Sequence, residues 1–139
     1  MKLSARNQLP GKITAINEGA VNAIVTLDVN GTAVSGTISM AAVKDLGLAV
    51  GKEAVAVIKA TEVMVGLGQM RLSARNQFPG KVTAINEGAV NAIVSLSVLG
   101  GHTVTATISM AAVKDLGLTV GCDAVAVIKA TSVMFGVNA

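Results

Sequence analysis

The sequence has no tryptophan, no tyrosine and only two phenylalanines, Phe78 and Phe135. Single-stranded nucleic acid is usually held on stacked aromatic side chains lining a basic groove. With so few aromatics and a net charge of only +3, nucleic acid is not an expected partner. Cys122 is the one cysteine, so no intramolecular disulfide can form. His102 is the one histidine. Zinc sites normally draw on three or four Cys, His or carboxylate ligands, so no metal-cation site is expected. No apolar run reaches the roughly 18 residues of a membrane helix; Lys12, Lys44 and Lys59 interrupt the candidates, and no membrane association is expected. The first six residues lack the apolar core of a signal peptide, which makes a cytoplasmic protein the default expectation.

A catalytic set is missing as well. Nucleophilic catalysis needs a base beside a Ser, Thr or Cys, and the lone histidine is not repeated. Glu18 and Glu87 are single carboxylates next to glycine turns. Gly66-Leu67-Gly68 lacks the Gly-Lys-Ser/Thr ending of a phosphate-binding loop. The expectation is a protein that is not an enzyme.

What the chain does have is one unit written twice. Residues 2–25 and 71–94 share 21 of 24 positions, the exceptions being Lys2/Arg71, Leu9/Phe78 and Ile13/Val82. Residues 37–48 return unchanged at 107–118, one residue further on, so a residue has been gained near Gly100-Gly101. Fixed-period self-similarity is the first thing to settle in a fold reading. A unit of about 69 residues is long enough for a small domain but gains much from association. The 52% hydrophobic content fits a globular protein.

Within the unit, residues 2–7 read as a first strand, Pro10-Gly11 as a bend, and residues 12–17 as resumed extended structure. Glu18-Gly19 is a turn, residues 20–29 a Val/Ile-rich strand, and Asn30-Gly31 a hairpin turn that Gly100-Gly101 replaces in the second copy. Residues 33–39 alternate as a strand. Ser39 is a good N-cap for a helix over Met40–Leu46, Gly47 suits the left-handed position after it, and Leu48 follows as its apolar contact. In residues 53–59, Val55, Val57 and Lys59 share one face and Ala54, Ala56 and Ile58 the other. Residues 61–65 form a last strand. The expected fold is mainly β: two five-stranded barrels of the oligonucleotide/oligosaccharide-binding (OB) type, each with one short α-helix. The expected domains are residues 1–66 and 72–139, joined by a linker at 67–71. A core of Val, Ile and Ala is thin and leaves apolar positions on both strand faces, which points to association. Cys122 stands where the first copy has Lys52, so an exposed, non-ligating position is expected there.

The repeated polar groups suit an anion. Ser4 and Arg6 offer a hydroxyl and a guanidinium, Lys59 an ammonium followed by small Ala60 and Thr61. The turn at Gly19-Ala20-Val21-Asn22 offers backbone N–H groups and an amide. Small residues let backbone donors approach a ligand and form an anion nest. Plainer alternatives stay open: a solvated strand and surface ion pair at Ser4 and Arg6, a snorkelling strand-end lysine at Lys59 and Lys129, an ordinary turn at Gly19. Asn22 and Asn91, inside Val-rich strands, would need partners if buried.

Ser-Ala-Arg-Asn-Gln, Gly-Lys-Ile-Thr-Ala-Ile, Glu-Gly-Ala-Val-Asn-Ala and Val-Ala-Val-Ile-Lys-Ala-Thr, in this order and spacing, resemble the Mop domain, or molybdate-binding TOBE domain. Both halves match, so the chain resembles a tandem Mop molbindin. The resemblance implies an OB-like barrel and binding of molybdate or tungstate between subunits, in a homotrimer of tandem chains that mimics a hexamer. It implies one site class between paired domains, using Ser4, Ala5, Arg6, Lys59, Ala60 and Thr61, with Ser73, Ala74, Arg75, Lys129, Ala130 and Thr131. Family members often carry Ser where this chain has Thr61 and Thr131; both have the hydroxyl. A second class near the three-fold axis would use Gly19, Ala20, Val21 and Asn22, with Gly88, Ala89, Val90 and Asn91. Neither the helix-turn-helix of molybdate-responsive regulators nor the ATPase domain of molybdate transporters is found, so the expectation is the ligand-binding module alone, serving molybdenum storage and homeostasis. The alternatives are an OB-type nucleic-acid-binding module and a molybdate-sensing regulatory subunit.

Overall fold

The computed structural model describes residues 2–138. The first copy gives β1 (Asn7–Glu18), β2 (Asn22–Val29), β3 (Thr32–Ser39), α1 (Met40–Leu46), β4 (Glu53–Ile58), a single 3₁₀ turn at Ala60–Glu62 and β5 (Met64–Gly66). The second gives β6 (Asn76–Glu87), β7 (Asn91–Val98), β8 (His102–Ser109), α2 (Met110–Leu116), β9 (Asp123–Ile128), a 3₁₀ turn at Ala130–Ser132 and β10 (Met134–Gly136). The result is two curled, five-stranded antiparallel sheets with one short helix each.

Alternation decides which face is buried. In β2, Ala23, Val25, Leu27 and Val29 point into the core, and in β4 Ala54, Ala56 and Ile58 do so. The helix forms as its caps dictate. Ser39 Oγ accepts from the Ala42 N–H at 3.0 Å. Gly47, at φ 64°, donates to Lys44 O, and Leu48 donates to Val43 O at 3.0 Å while burying its side chain. The second copy repeats each of these contacts.

The structure differs from the sequence expectation in several places. Residues 2–6 are not a strand; β1 starts at Asn7 and runs unbroken through Pro10-Gly11. Up to Gly11, β1 pairs only with β4, and from Lys12 on it pairs with β2. Pro10 therefore sits where β1 has one partner, and a missing N–H is tolerated there. A Cβ on Gly11 would collide with the Asp28 carbonyl oxygen, so glycine marks a close crossing of backbones rather than a break. The last strand begins at Met64, after the 3₁₀ turn, and not at Thr61. The gained residue makes a three-residue turn of Leu99, Gly100 and Gly101, all with positive φ, where the first copy has only Asn30 and Gly31. Leu99 adopts φ 54° and is buried.

The strand order is β10-β4-β1-β2-β3 in one sheet and β5-β9-β6-β7-β8 in the other. Each copy thus hands its last strand to the other copy's sheet, and repeat boundaries and sheet boundaries differ. Met134, Phe135 and Gly136 pair with Val57, Ala56 and Val55; Met64, Val65 and Gly66 pair with Val127, Ala126 and Val125.

Two buried amides fasten the exchange. Asn7 Nδ2 donates to Thr105 O at 2.8 Å, and the Thr105 N–H donates back to Asn7 Oδ1 at 2.7 Å. Asn76 does the same to Ser35, at 2.8 Å both ways, and donates to Ile128 O at 3.2 Å. Both are 1% exposed, which makes them the buried polar side chains of the described residues. Asn22 and Asn91, expected as candidates for buried amides, are exposed instead, because they open their strands. Cys122 is half-buried against the core rather than exposed. Its counterpart Lys52 has a long stem that carries Nζ out to Gly47 O at 3.0 Å; a thiol has no such reach.

Candidate oxyanion-binding site

The segment at residues 3–6 leads into β1 and is held by its own sequence. Buried Asn7 anchors one end, and Gln8 Nε2 donates to Ala5 O at 3.2 Å. At the far end of β4, Lys59 begins the 3₁₀ turn. The Glu62 N–H donates to Lys59 O at 2.9 Å and Val63 N–H to Ala60 O at 3.3 Å, while Ala60 is buried beneath. β1 and β4 are neighbours, with Asn7 opposite Ile58. That register places residues 3–6 beside residues 59–61.

The two segments line one open cleft of about 520 Å³, with Ser4, Ala5, Arg6, Lys59, Ala60 and Thr61 in its wall. The other copy supplies Thr107, Met134, Phe135 and Gly136 to the same wall. No local sequence pattern places these four: Met134, Phe135 and Gly136 arrive on the donated β10, and Thr107 comes from β8 of the other sheet. Ser4, Arg6, Lys59 and Thr61 are exposed to the cleft and solvent. Among the described residues the salt bridge present is Lys81–Asp123, at 2.8 Å on the surface, where the hydrogen bond and then the charge of Asp123 raise the Lys81 pKa. Among the described residues, Arg6 and Lys59 thus have no carboxylate within salt-bridge distance.

The second copy repeats the scaffold. Gln77 Nε2 donates to Ala74 O at 3.3 Å, and the Ser132 N–H to Lys129 O at 2.9 Å. Ser73, Arg75, Lys129 and Thr131 are exposed, Ala74 is half-buried and Ala130 is buried.

The second predicted set lies elsewhere. In the turn after β1, the Gly19 N–H donates to Asn22 O at 2.9 Å and the Met40 N–H to Val21 O at 2.8 Å, tying the turn to the start of α1. Gly19, Ala20, Val21 and Asn22 are all exposed, as are Gly88, Ala89, Val90 and Asn91. Gly88 and Ala89 share a cleft of about 430 Å³ with Lys114 and Thr119. Lys114 carries no local sequence signal of a site. It stands on the last turn of α2, and only the folding of the turn against that helix reveals it.

Chemically the first cleft offers a guanidinium, an ammonium, hydroxyls and little steric bulk. No general base stands with them, and the described residues hold no cluster of three metal-ligating side chains. Such a donor set holds a compact oxyanion by charge-assisted hydrogen bonds.

The TOBE domain profile matches residues 3–65 and again 72–135. The molybdenum transport protein ModE of Herbaspirillum seropedicae is 41% identical over 141 residues, covering 99% of this chain and 52% of that protein. The chain thus spans about half the length of such ModE relatives. A probable molybdenum-pterin-binding protein of Haemophilus influenzae is 62% identical over 68 residues, covering 48% of this chain and 99% of that one. The structure of the cytoplasmic molybdate-binding protein ModG, with molybdate bound, matches with a TM-score of 0.96 at 44% identity, covering 99% of this chain and 100% of that one. By sequence and by fold, this chain belongs to the TOBE-domain family and carries two TOBE domains in tandem.

Proposed function

We propose that this chain binds molybdate, and tungstate in the same sites, as a cytoplasmic protein of molybdenum storage and homeostasis. The observation that carries this reading is the meeting of Ser4-Ala5-Arg6 and Lys59-Ala60-Thr61 on one cleft, with neither cation in a salt bridge among the described residues. The close match to ModG, described as molybdate-binding and cytoplasmic, supports it. No described helix is long and apolar enough to cross a membrane. The protein acts as a binder, not a catalyst.

The ligand sits between subunits. A cleft of about 520 Å³ is far roomier than a tetrahedral oxyanion and has solvent on one side. A second surface is needed to complete the donor shell, because an enclosed dianion must have its oxygens hydrogen-bonded. Exposed Leu3, Met64, Leu72 and Met134, each 45–53% accessible, flank these segments and supply apolar surface for that contact. Val21 and Val90, members of the second predicted set and 74% accessible, do the same there. The assembly is a homotrimer with pseudo-hexameric arrangement. Ser73, Ala74, Arg75, Lys129, Ala130 and Thr131 complete the paired-domain sites, and residues 19–22 and 88–91 form the sites near the three-fold axis.

Equilibrium dialysis at micromolar molybdate against a sulfate blank tests the reading; no retention above the blank would reject it. Thermal unfolding gives the ranking. A ligand that binds only the assembled native form stabilises it by RT ln(1 + [L]/Kd), about 2.7 kcal/mol per site at a hundredfold excess. Sulfate is a smaller dianion and fits a fixed cage less well. The expected order of melting shifts is molybdate close to tungstate, both well above sulfate, at matched ionic strength. Equal shifts for all three would mean general charge neutralisation.

A further inference from the structure

The two copies are nearly identical, yet several of their differences fall where one copy touches the other. We infer that these differences form a pairing code, by which the first half of the chain accepts the second half as its strand-exchange partner and rejects a second copy of itself.

The core row beneath the exchanged strand carries the first part of the code. In one sheet Leu9, Ala56 and Phe135 stand in register across three strands, and Phe135 lies over Gly36 of β3. In the other sheet the same places hold Phe78, Ala126 and Val65, with Ala106 on β8. Each row thus sets one phenylalanine and one smaller aliphatic residue on either side of an alanine. The phenylalanine comes from the sheet's own copy in one case and from the donated strand in the other. The space for Phe135 is made by Gly36: a Cβ there would lie 2.5 Å from Phe135 Cε2. Pairing two first halves would combine Leu9, Val65 and Gly36, leaving a void in both sheets. Pairing two second halves would combine Phe78, Phe135 and Ala106, overfilling both. Voids and overpacking each destabilise a close-packed interior, so only the mixed pair fills both rows.

The second part is polar. Glu62 and Ser132 are counterparts in the two copies, and Ser132 Oγ donates to Glu62 Oε2 at 3.2 Å across the junction. Two first halves would set Glu62 against Glu62, a like-charge contact. Asn30 and Leu99 are also counterparts, and Asn30 Nδ2 donates to Leu99 O at 3.1 Å where the hairpin tips meet. The bonds that Asn7 and Asn76 make across the junction are of the same kind in both copies and grip backbone atoms only. They hold the halves together without distinguishing them.

The test uses the full chain, where a wrong pairing joins two chains through their like halves. Glu62→Cys in a Cys122→Ser background reports on it: like pairing brings two such positions together and oxidation gives a covalent dimer on a non-reducing gel. Glu62→Cys with Ser132→Cys, in the same background, is the control for the mixed pair and gives an intrachain link. After refolding at high concentration, the reporter chain with the native row is expected to stay monomeric on the gel. Adding Leu9→Phe, Gly36→Ala and Phe135→Val makes the two rows alike, and the covalent dimer is expected to rise at least several-fold. An unchanged dimer fraction would mean that the linker alone chooses the partner and would overturn the code. A thermal cycle guards against failed folding. Gly36→Ala and Phe135→Val should each lower Tm, and the double variant should recover a large part of the summed loss. Additive losses would contradict the steric half of the proposal.

Discussion

Replacing Asn76 with leucine is expected to destabilise the protein by about 3 kcal/mol or more, and replacing Asn7 somewhat less. Both side chains are buried at the junction of the two copies. Asn76 satisfies the N–H and C=O of Ser35 and reaches Ile128 O, whereas Asn7 serves only the N–H and C=O of Thr105. A leucine of similar size keeps the volume but orphans those backbone groups. Each buried group left without a partner costs about 1–3 kcal/mol. The double variant should lose more than either single one, since the two clamps hold different strands. Urea unfolding monitored by circular dichroism gives the values. A loss below about 1 kcal/mol for Asn76→Leu would mean that water or a neighbouring group takes over the bonds.

The largest effect on binding is expected from Lys59→Ala together with Lys129→Ala. Each change removes one charge-assisted hydrogen bond to the oxyanion, worth about 1.5–3 kcal/mol, or roughly 10–100-fold in affinity. Both lysines are exposed at the ends of β4 and β9, and neither contributes to the core. The melting temperature without ligand should therefore stay close to that of the parent chain. Isothermal titration with molybdate separates the two readings of these residues. Unchanged affinity in the double variant would return Lys59 and Lys129 to a snorkelling role. Cys122→Ser should alter neither affinity nor assembly.

Local signals were legible in the sequence wherever the physics is local. The helix from Met40 to Leu46, its Ser39 cap and its Gly47 stop follow from capping chemistry within a single turn. The inward face of β4 follows from alternation. The repeat gave the duplicated fold directly. Where the determining contact is distant, the sequence carries no such signal. Pro10-Gly11 looks like a break because its local chemistry is that of a turn; the strand continues because Gly11 lets the Asp28 backbone cross close by. In the sequence Asn7 and Asn76 look like members of a motif, and their role as buried clamps does not show, because their partners are 98 and 41 residues away. The exchange of β5 and β10 is invisible to any window, since either pairing satisfies the same strand pattern. The same limit applies to the cleft. The motif points to its first-copy wall, whereas the wall supplied by Thr107 and Phe135 takes shape only when the other copy packs against it.

Native mass spectrometry, with molybdate and with sulfate at matched ionic strength, tests binding at subunit interfaces most directly, because it reports chain number and ligand number in the same ions. The expected result is a trimer that retains several molybdate ions and loses sulfate under the same conditions. A monomer, or a trimer that carries no more molybdate than sulfate, would contradict it.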